Sequence, residues 1–233
     1  MTASGWLLDE RIHAGNEHLD PGYVPGYDDK AQTDPQQDLD ILLAAGLERH
    51  PTLIDFGAGT GTFAIAAAAH CSRVIAIDVS SEMLGVLERK IRESGIENIE
   101  PVHAGFLSYN HTGGLADFVY SRHALHHLPD FWKAYALGRI SKMMKPGGVF
   151  YLRDLVYSFE PGDTEVFLEK WLAGAAPSSD RGWTRAELEE HIREEHSTFT
   201  WLLEPMLDRA GFDIVDVLDR DSNIYAAYRC VKR

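Results

Sequence analysis

The sequence predicts an α/β protein built on a parallel sheet with helices on both faces. Three observations carry that expectation. Short apolar runs alternate with helix-length segments between residue 51 and the 150s, a glycine-rich turn links the first run to the helix that follows it, and two extended runs close the chain. Strands separated by helices pair in parallel, because the crossover between parallel strands needs a dozen or more residues. A sheet of that kind is buried on both faces.

Residues 1–34 mix Gly, Pro, Asp and Tyr without sustained periodicity and read as an irregular arm. Asp34 before Pro35 offers an N-cap with proline at the first helical position, and DLDILLAAGLER has helical apolar spacing, so a helix is expected over 35–49. TLIDF after Pro51 reads as a strand, TFAIAAAAH after the glycines as a helix and RVIAID as a second buried strand, together a βαβ unit. The alternation continues with SSEMLGVLERKIRES as a helix, IEPVHA as extended chain and LADFVYS as a fourth strand. DFWKAYALGRISKMMK is then a helix ended by Pro-Gly-Gly, and VFYLRD a fifth strand. Residues 160–209 break the pattern with polar, mainly helical sequence, including Thr184 and Glu187 as a capping box, and read as a lid-like insertion. FDIVDVLD and IYAAYRCVK, joined around Asp221, Ser222 and Asn223, read as a closing hairpin. The expected organisation is an arm over 1–34 and one domain over 35–233 carrying that helical insertion.

Composition narrows the function classes. A chain of 233 residues suits one substantial domain. With 45% hydrophobic and 25% charged residues it is ordinary for a globular protein, and no apolar run approaches the 18 or so residues of a membrane helix. The opening MTASGWLLDERIH lacks a basic start and an apolar core, so no secretory leader is expected. Cys71 and Cys230 alone make neither a disulfide framework nor a metal quartet, which fits a reducing cytoplasm. A formal charge of −14 opposes a broad phosphate-binding surface. Nucleic acid is therefore not an expected partner; a small molecule ranks first, and a homodimer is compatible with the sequence.

The segment LIDFGAGTGTF, residues 53–63, carries Gly57, Gly59 and Gly61, which let a strand turn tightly into a helix and approach a ligand closely. A P-loop is disfavoured, because no Gly-Lys-Ser/Thr follows. A dinucleotide site stays open, since GTGTFA satisfies G-x-G-x-x-A and Asp78 suits a ribose. Asp55 would face a pyrophosphate unfavourably and would attract an ammonium or sulfonium. The two acceptor oxygens of Asp78 suit paired ribose hydroxyls, the alternative being a cap on the SSEM helix.

Taken together, LIDFGAGTG, VIAIDVS, SSEML, LADFVYSRHALHHLPD and KPGGVFYLRD resemble the class I S-adenosylmethionine-dependent methyltransferases over roughly residues 50–155. The resemblance implies a Rossmann-like, doubly wound sheet of seven strands, mostly parallel with an antiparallel C-terminal strand. It implies S-adenosyl-L-methionine as cofactor at the carboxyl ends of the first strands. Carried over by position, Asp55, Gly57, Ala58, Gly59 and Gly61 surround the methionyl portion, Asp78 holds the ribose, and Val79 and Met83 pack near the adenine. Gly105 and Phe106 lie beyond the adenine edge, and Tyr27 and Ser121 complete the expected contacts. Many members place an acidic residue after the third strand, where this chain has Gly105 and Phe106; Phe106 either offers an aromatic face or fills core.

A sulfonium is already an activated methyl donor, so the protein has to align a nucleophile, exclude water and remove a proton where the nucleophile carries one. His123, His126 and His127 in SRHALHHLPD are the candidate catalytic residues, although histidines of this segment often support the loop in the family. No H-E-x-x-H pattern and no carboxylate at ligand spacing accompanies them, so no metal site is expected. Arg153 and Asp154 face the substrate side or form an internal ion pair. Trp6, Tyr23 and Tyr27 on the arm either fold over the cofactor or anchor the arm. Trp171, Trp183, Phe199 and Trp201 wall an acceptor pocket or fill core. The leading expectation is methyl transfer to a small molecule by direct displacement. The alternatives are a nicotinamide-dependent oxidoreductase and a non-catalytic cofactor-binding regulator.

Overall fold

A computed structural model describes residues 5–47 and 50–233 of the chain. The arm is a series of 3-10 turns, Glu10–His13, Asn16–Leu19 and Val24–Gly26, followed by the short helix α1 (Tyr27–Ala31). Helix α2 (Gln36–Ala44) comes next, with Asp34 Oδ1 accepting from the Gln36 amide at 2.9 Å. It is shorter than the expected 35–49: the chain leaves the helix through Gly46 at φ 104°, and residues 48 and 49 lie outside the described residues.

The expected alternation follows: β1 (Thr52–Phe56), α3 (Thr62–Ala68), β2 (Arg73–Asp78), α4 (Ser81–Ser94), β3 (Ile99–His103), β4 (Ala116–Arg122), α5 (Asp130–Met143) and β5 (Met144–Tyr157). The strands read as apolar runs because both faces are covered. Ile54, Phe56, Ile75 and Ile77 pack into one core with Leu137 and Ile140 of α5, while Leu53, Val74 and Ala76 pack into the other with Ala64 and Ala67 of α3 and Leu87 of α4. Pro146-Gly147-Gly148 does not end α5. That helix stops at Met143, and the Pro-Gly-Gly bulges out of β5, with Ala116 paired to Met144 and Phe118 to Val149.

The remaining elements are α6 (Thr164–Ala173), α7 (Arg185–Glu194), the two-residue β6 (Thr198–Phe199), α8 (Thr200–Arg209), β7 (Phe212–Leu218) and β8 (Tyr225–Lys232). The strand order is β3-β2-β1-β4-β5-β8-β7, with β6 beside β5; β8 runs antiparallel to both neighbours and the other pairs are parallel. Seven strands therefore form the sheet path, as expected, and the eighth is the short β6. Chain order reverses between β1 and β4, which opens a crevice at their carboxyl ends. No helix among the described residues is long and apolar enough to cross a membrane.

The span 160–209 is not uniform. Phe167, Leu168 and Trp171 of α6 pack on a small satellite cluster around Leu155, Tyr157 and Phe159, and α7 begins with the expected capping box of Thr184 and Glu187. In contrast, Leu203 and Leu207 of α8 are buried in the main core with Phe212 and Tyr228, so α8 covers the sheet. Leu207→Ala is expected to cost about 2–5 kcal/mol in denaturant unfolding. The half-buried Leu188 on α7, cut to alanine, should cost clearly less.

Candidate active site

The crevice is shaped by the turn after β1. Gly57, Gly59 and Gly61 all take left-handed backbone conformations, at φ 72°, 55° and 83°. A Cβ on Gly57 would lie 2.3 Å from the Ala124 methyl, and one on Gly61 would lie 2.1 Å from Leu87 Cδ1, so a side chain at either position adds a close contact to a strained left-handed backbone. The amides of Gly57 and Ala58 donate to Ile77 O at 2.9 and 3.0 Å, which folds the turn against the end of β2. There the two oxygens of Asp78 accept from the amides of Gly59 and Ser80, both at 2.8 Å. Ser80, not Asp78, caps α4, its hydroxyl accepting from Met83 N at 3.1 Å. Asp78 is therefore held rigidly at the cleft.

An inner cleft brings together Tyr27, Gly57, Gly59, Asp78, Val79, Met83, Gly105, Phe106, His123 and His127. Asp55, Ala58, Gly61 and Ser121 do not line it. Asp55 is 1% exposed beneath the turn, and Asp55 Oδ2 and the Ser121 hydroxyl are buried without a hydrogen-bond partner. Burial, reinforced by the nearby Asp78, pushes the Asp55 carboxyl up to about 8. Phe106 stacks on Phe56 at 4.9 Å between centroids, so most of its ring serves the core.

Sequence reasoning missed Glu10, Ala14 and His18 of the arm in this cleft, together with Arg122 and Leu128. Glu10 is the most informative. Its carboxylate accepts from the amides of Leu107 (3.1 Å) and Ser108 (2.9 Å) and from the Ser108 hydroxyl (2.7 Å). A Cβ at Gly105 would lie 2.3 Å from that carboxylate, so the glycine makes room for it. No local signal could have found this pair, 95 positions apart. The arm is also tied down by the Ser80 hydroxyl donating to His18 O (2.6 Å) and by the Lys90–Asp28 ion pair (2.6 Å), and it closes the cleft to a volume of about 100 Å³. Trp6 stacks on Trp132 at 6.1 Å and anchors the start of the arm outside the cleft.

A larger outer cavity, about 1440 Å³, lies under α6 and α7. Its walls include Tyr23, Trp171, Trp183 and Tyr225, whereas Trp201 is exposed and Phe199 packs on Tyr157 and Phe159. His18, Tyr27, Arg122, His123 and His127 line both cavities and form the boundary between them. Beneath this boundary the fully buried Asp38 accepts from Tyr120 (2.8 Å), Tyr151 (2.9 Å), Arg122 (3.2 Å) and Arg153 (3.0 Å). Arg153 thus pairs with Asp38 and Asp219, and not with Asp154.

Asp154 instead holds His126. Its Oδ2 accepts from the His126 amide at 3.0 Å and its Oδ1 pairs with Nδ1, while Nε2 of the same ring lies 2.8 Å from Glu195 Oε2. Burial alone would lower the His126 pKa, but the two carboxylates outweigh it and raise it to about 9. His123, at φ 50°, is lowered to about 3 by burial, and His127 is lowered well below its usual value by burial and then by His126. Two neutral imidazoles therefore stand at the boundary beside one that already carries a proton. The carboxylate missing from the sequence around the histidines arrives from Glu195, just past α7.

Residues 53–148 match the family model described as a methyltransferase domain. An uncharacterized methyltransferase of Schizosaccharomyces pombe is 30% identical over 121 residues, which cover 48% of this chain and 40% of that one. An uncharacterized methyltransferase of Anoxybacillus flavithermus is 24% identical over 209 residues, covering 86% and 92% of the two chains. The fold is shared with a crystal structure of an S-adenosylmethionine-dependent methyltransferase from Clostridium acetobutylicum, at a TM-score of 0.68 and 14% identity over 91% of this chain and 98% of the other. Residues 53–148, with the glycine turn and Asp78 in the crevice, thus carry a methyltransferase domain, and the chain shares its fold with S-adenosylmethionine-dependent methyltransferases.

Proposed function

We propose that this protein transfers a methyl group from S-adenosylmethionine, bound in the inner cleft, to a small molecule held in the outer cavity. The observation that carries the reading is the shared boundary: the cleft holding Asp78 and the aromatic-walled cavity meet at His18, Tyr27, Arg122, His123 and His127. A donor on one side and an acceptor on the other then meet across one shared wall, which aligns them.

The residues fit the cofactor. Asp78, fixed by two amides, keeps acceptor capacity for ribose hydroxyls. Gly57 and Gly59 let the backbone approach a ligand, and Val79 and Met83 give the apolar side of an adenine site. Asp55, buried beneath the turn with Oδ2 unpartnered, gives up its proton more readily once a cation is seated in the cleft above it. When bound there, S-adenosylmethionine supplies a methyl whose bond electrons pass to sulfur on transfer. His123 and His127, neutral at the boundary, offer nitrogen lone pairs that orient an acceptor hydrogen; His126, already protonated near neutral pH, does not accept another proton. The aromatic walls favour an acceptor with a flat apolar body. A Burkholderia relative is named for O-methylation in ubiquinone biosynthesis and a structural neighbour for N-methylation, so kinship leaves the acceptor atom open.

The direct test is formation of S-adenosylhomocysteine from S-adenosylmethionine in the presence of a panel of aromatic hydroxy and amino compounds. Product formation that depends on one acceptor supports the reading; none across the panel, with the cofactor bound, contradicts it. Asp78→Ala should weaken both S-adenosylmethionine and S-adenosylhomocysteine by about tenfold or more in calorimetry, because hydrogen bonds to a charged group contribute about 1.5–3 kcal/mol.

Asp55→Asn should act in the opposite sense on the free protein. The Asp55 carboxyl titrates near 4 when unfolded and at about 8 when folded, so the folded state binds the extra proton and its stability falls as pH rises between those values. Asparagine removes that loss. The variant's melting temperature without cofactor should exceed the parent's by a margin that widens from pH 5 to pH 8. Its preference for the sulfonium over the neutral thioether product should shrink.

A further inference from the structure

The histidine cluster at the cavity boundary has the donor set of a metal site. His126, His127 and Glu195 each present one ligand atom, and these atoms all lie within 4.8 Å of one another. Glu195 Oε2 stands 2.8 Å from His126 Nε2 and 3.9 Å from His127 Nδ1. Nitrogen and oxygen ligands at about 2.1 Å from one tetrahedral ion sit roughly 3.4 Å apart, and these two separations fall on either side of that spacing.

One of the atoms is unsatisfied as the chain stands. His127 Nδ1 is buried and has no hydrogen-bond partner, while Glu195 Oε2 is held in ion pairs with the nitrogens of His126 and His191. Buried polar atoms of this kind are rare unless an ion or water serves them.

The surroundings preset the ligands. Asp154 accepts from His126 Nδ1, the carboxylate–histidine arrangement that supports bound metal ions, and a metal ion would replace the proton that His126 Nε2 presents to Glu195. His191 Nδ1 pairs with Glu195 Oε2 while its Nε2 lies 3.0 Å from the Ser197 hydroxyl. The chain just after Glu195 is docked on the histidine loop, with the His196 amide donating to His126 O at 2.9 Å and Lys133 Nζ donating to His196 O.

We propose that His126 Nε2, His127 Nδ1 and Glu195 Oε2 bind one divalent transition ion of the zinc class in the wall of the outer cavity. Two imidazoles and a carboxylate suit zinc, cobalt or ferrous iron, whereas magnesium and calcium favour all-oxygen shells. Three protein ligands leave a position for water or for an oxygen or nitrogen of a molecule in the cavity. The ion also joins the β4–α5 loop to the segment after α7, and so ties the helical cover to the sheet.

The test uses the full chain after dialysis against a chelator. Titration with Co²⁺ should give d–d absorption that saturates at one equivalent and is lost on adding Zn²⁺, and Zn²⁺ should raise the melting temperature. Glu195→Gln and His127→Asn should each weaken Zn²⁺ by more than the roughly 10–100-fold that loss of a supporting partner costs. His127 Nδ1 makes no hydrogen bond, so His127→Asn carries the test if Glu195→Gln does not fold. Absence of saturable binding, which would mean that the cluster holds only the proton on His126, overturns the proposal. So does Zn²⁺ affinity unchanged in a folded variant. Neither result bears on cofactor binding, which is measured separately with S-adenosylhomocysteine.

Discussion

Two carboxylates at the ends of neighbouring parallel strands, Asp55 on β1 and Asp78 on β2, set the terms for the whole cleft. An ionised carboxylate out of water is costly unless it is hydrogen-bonded or meets a cation. Asp78 meets the cost with the Gly59 and Ser80 amides, and this requires the glycine turn in left-handed conformation, a Cβ-free approach to Ala124 and the chain direction that starts α4. Asp55 has no such relief for Oδ2, so its proton is held to about 8. The structure thus keeps an unfavourable acidic pair at the ends of β1 and β2, one carboxylate lining the cleft and the other buried beneath it.

The same logic recurs around the cleft. Asp38 ties α2 to β4 and β5 through two tyrosines and two arginines, Glu10 ties the arm to the turn after β3, and Asp154 with Glu195 grips His126 between β5 and the segment after α7. Lys30 on the arm pairs with Glu187 of α7 at 2.5 Å and sits 4.4 Å over the Trp183 ring. Arm and helical cover are therefore held to the sheet, and to each other, by polar contacts together with small apolar clusters that lie apart from the centre of the main core. Elements attached in this way open at low free-energy cost, which suits a cleft that holds only about 100 Å³ when closed and must admit a nucleotide-sized ligand.

Much of this was legible in the sequence. The apolar runs of β1, β2 and β4 and the amphipathic α4 are local signals, and the sheet follows from their alternation. Gly57, Gly59 and Asp78 announced themselves because a turn between adjacent elements brings near neighbours in sequence together. The Pro-Gly-Gly was read as a helix stop although it bulges from β5, since nothing local distinguishes the two. Glu10, Asp38 and Glu195 were not legible. Each acts on a partner 80 to 115 positions away or nearly 70 positions away across the fold, and a lone acidic residue on an arm or helix end has no periodicity to betray it. The same distance effect hid the carboxylate facing the histidines.

The central claim is that donor and acceptor occupy two cavities that meet at the His18–Arg122–His127 boundary. A crystal structure of the protein with S-adenosylhomocysteine tests it most directly. The account predicts ribose hydroxyls on Asp78 and the sulfur facing the outer cavity past His123 and His127. A cofactor seated away from Asp78, or a sulfur directed into the sheet and closed off from that cavity, would contradict it.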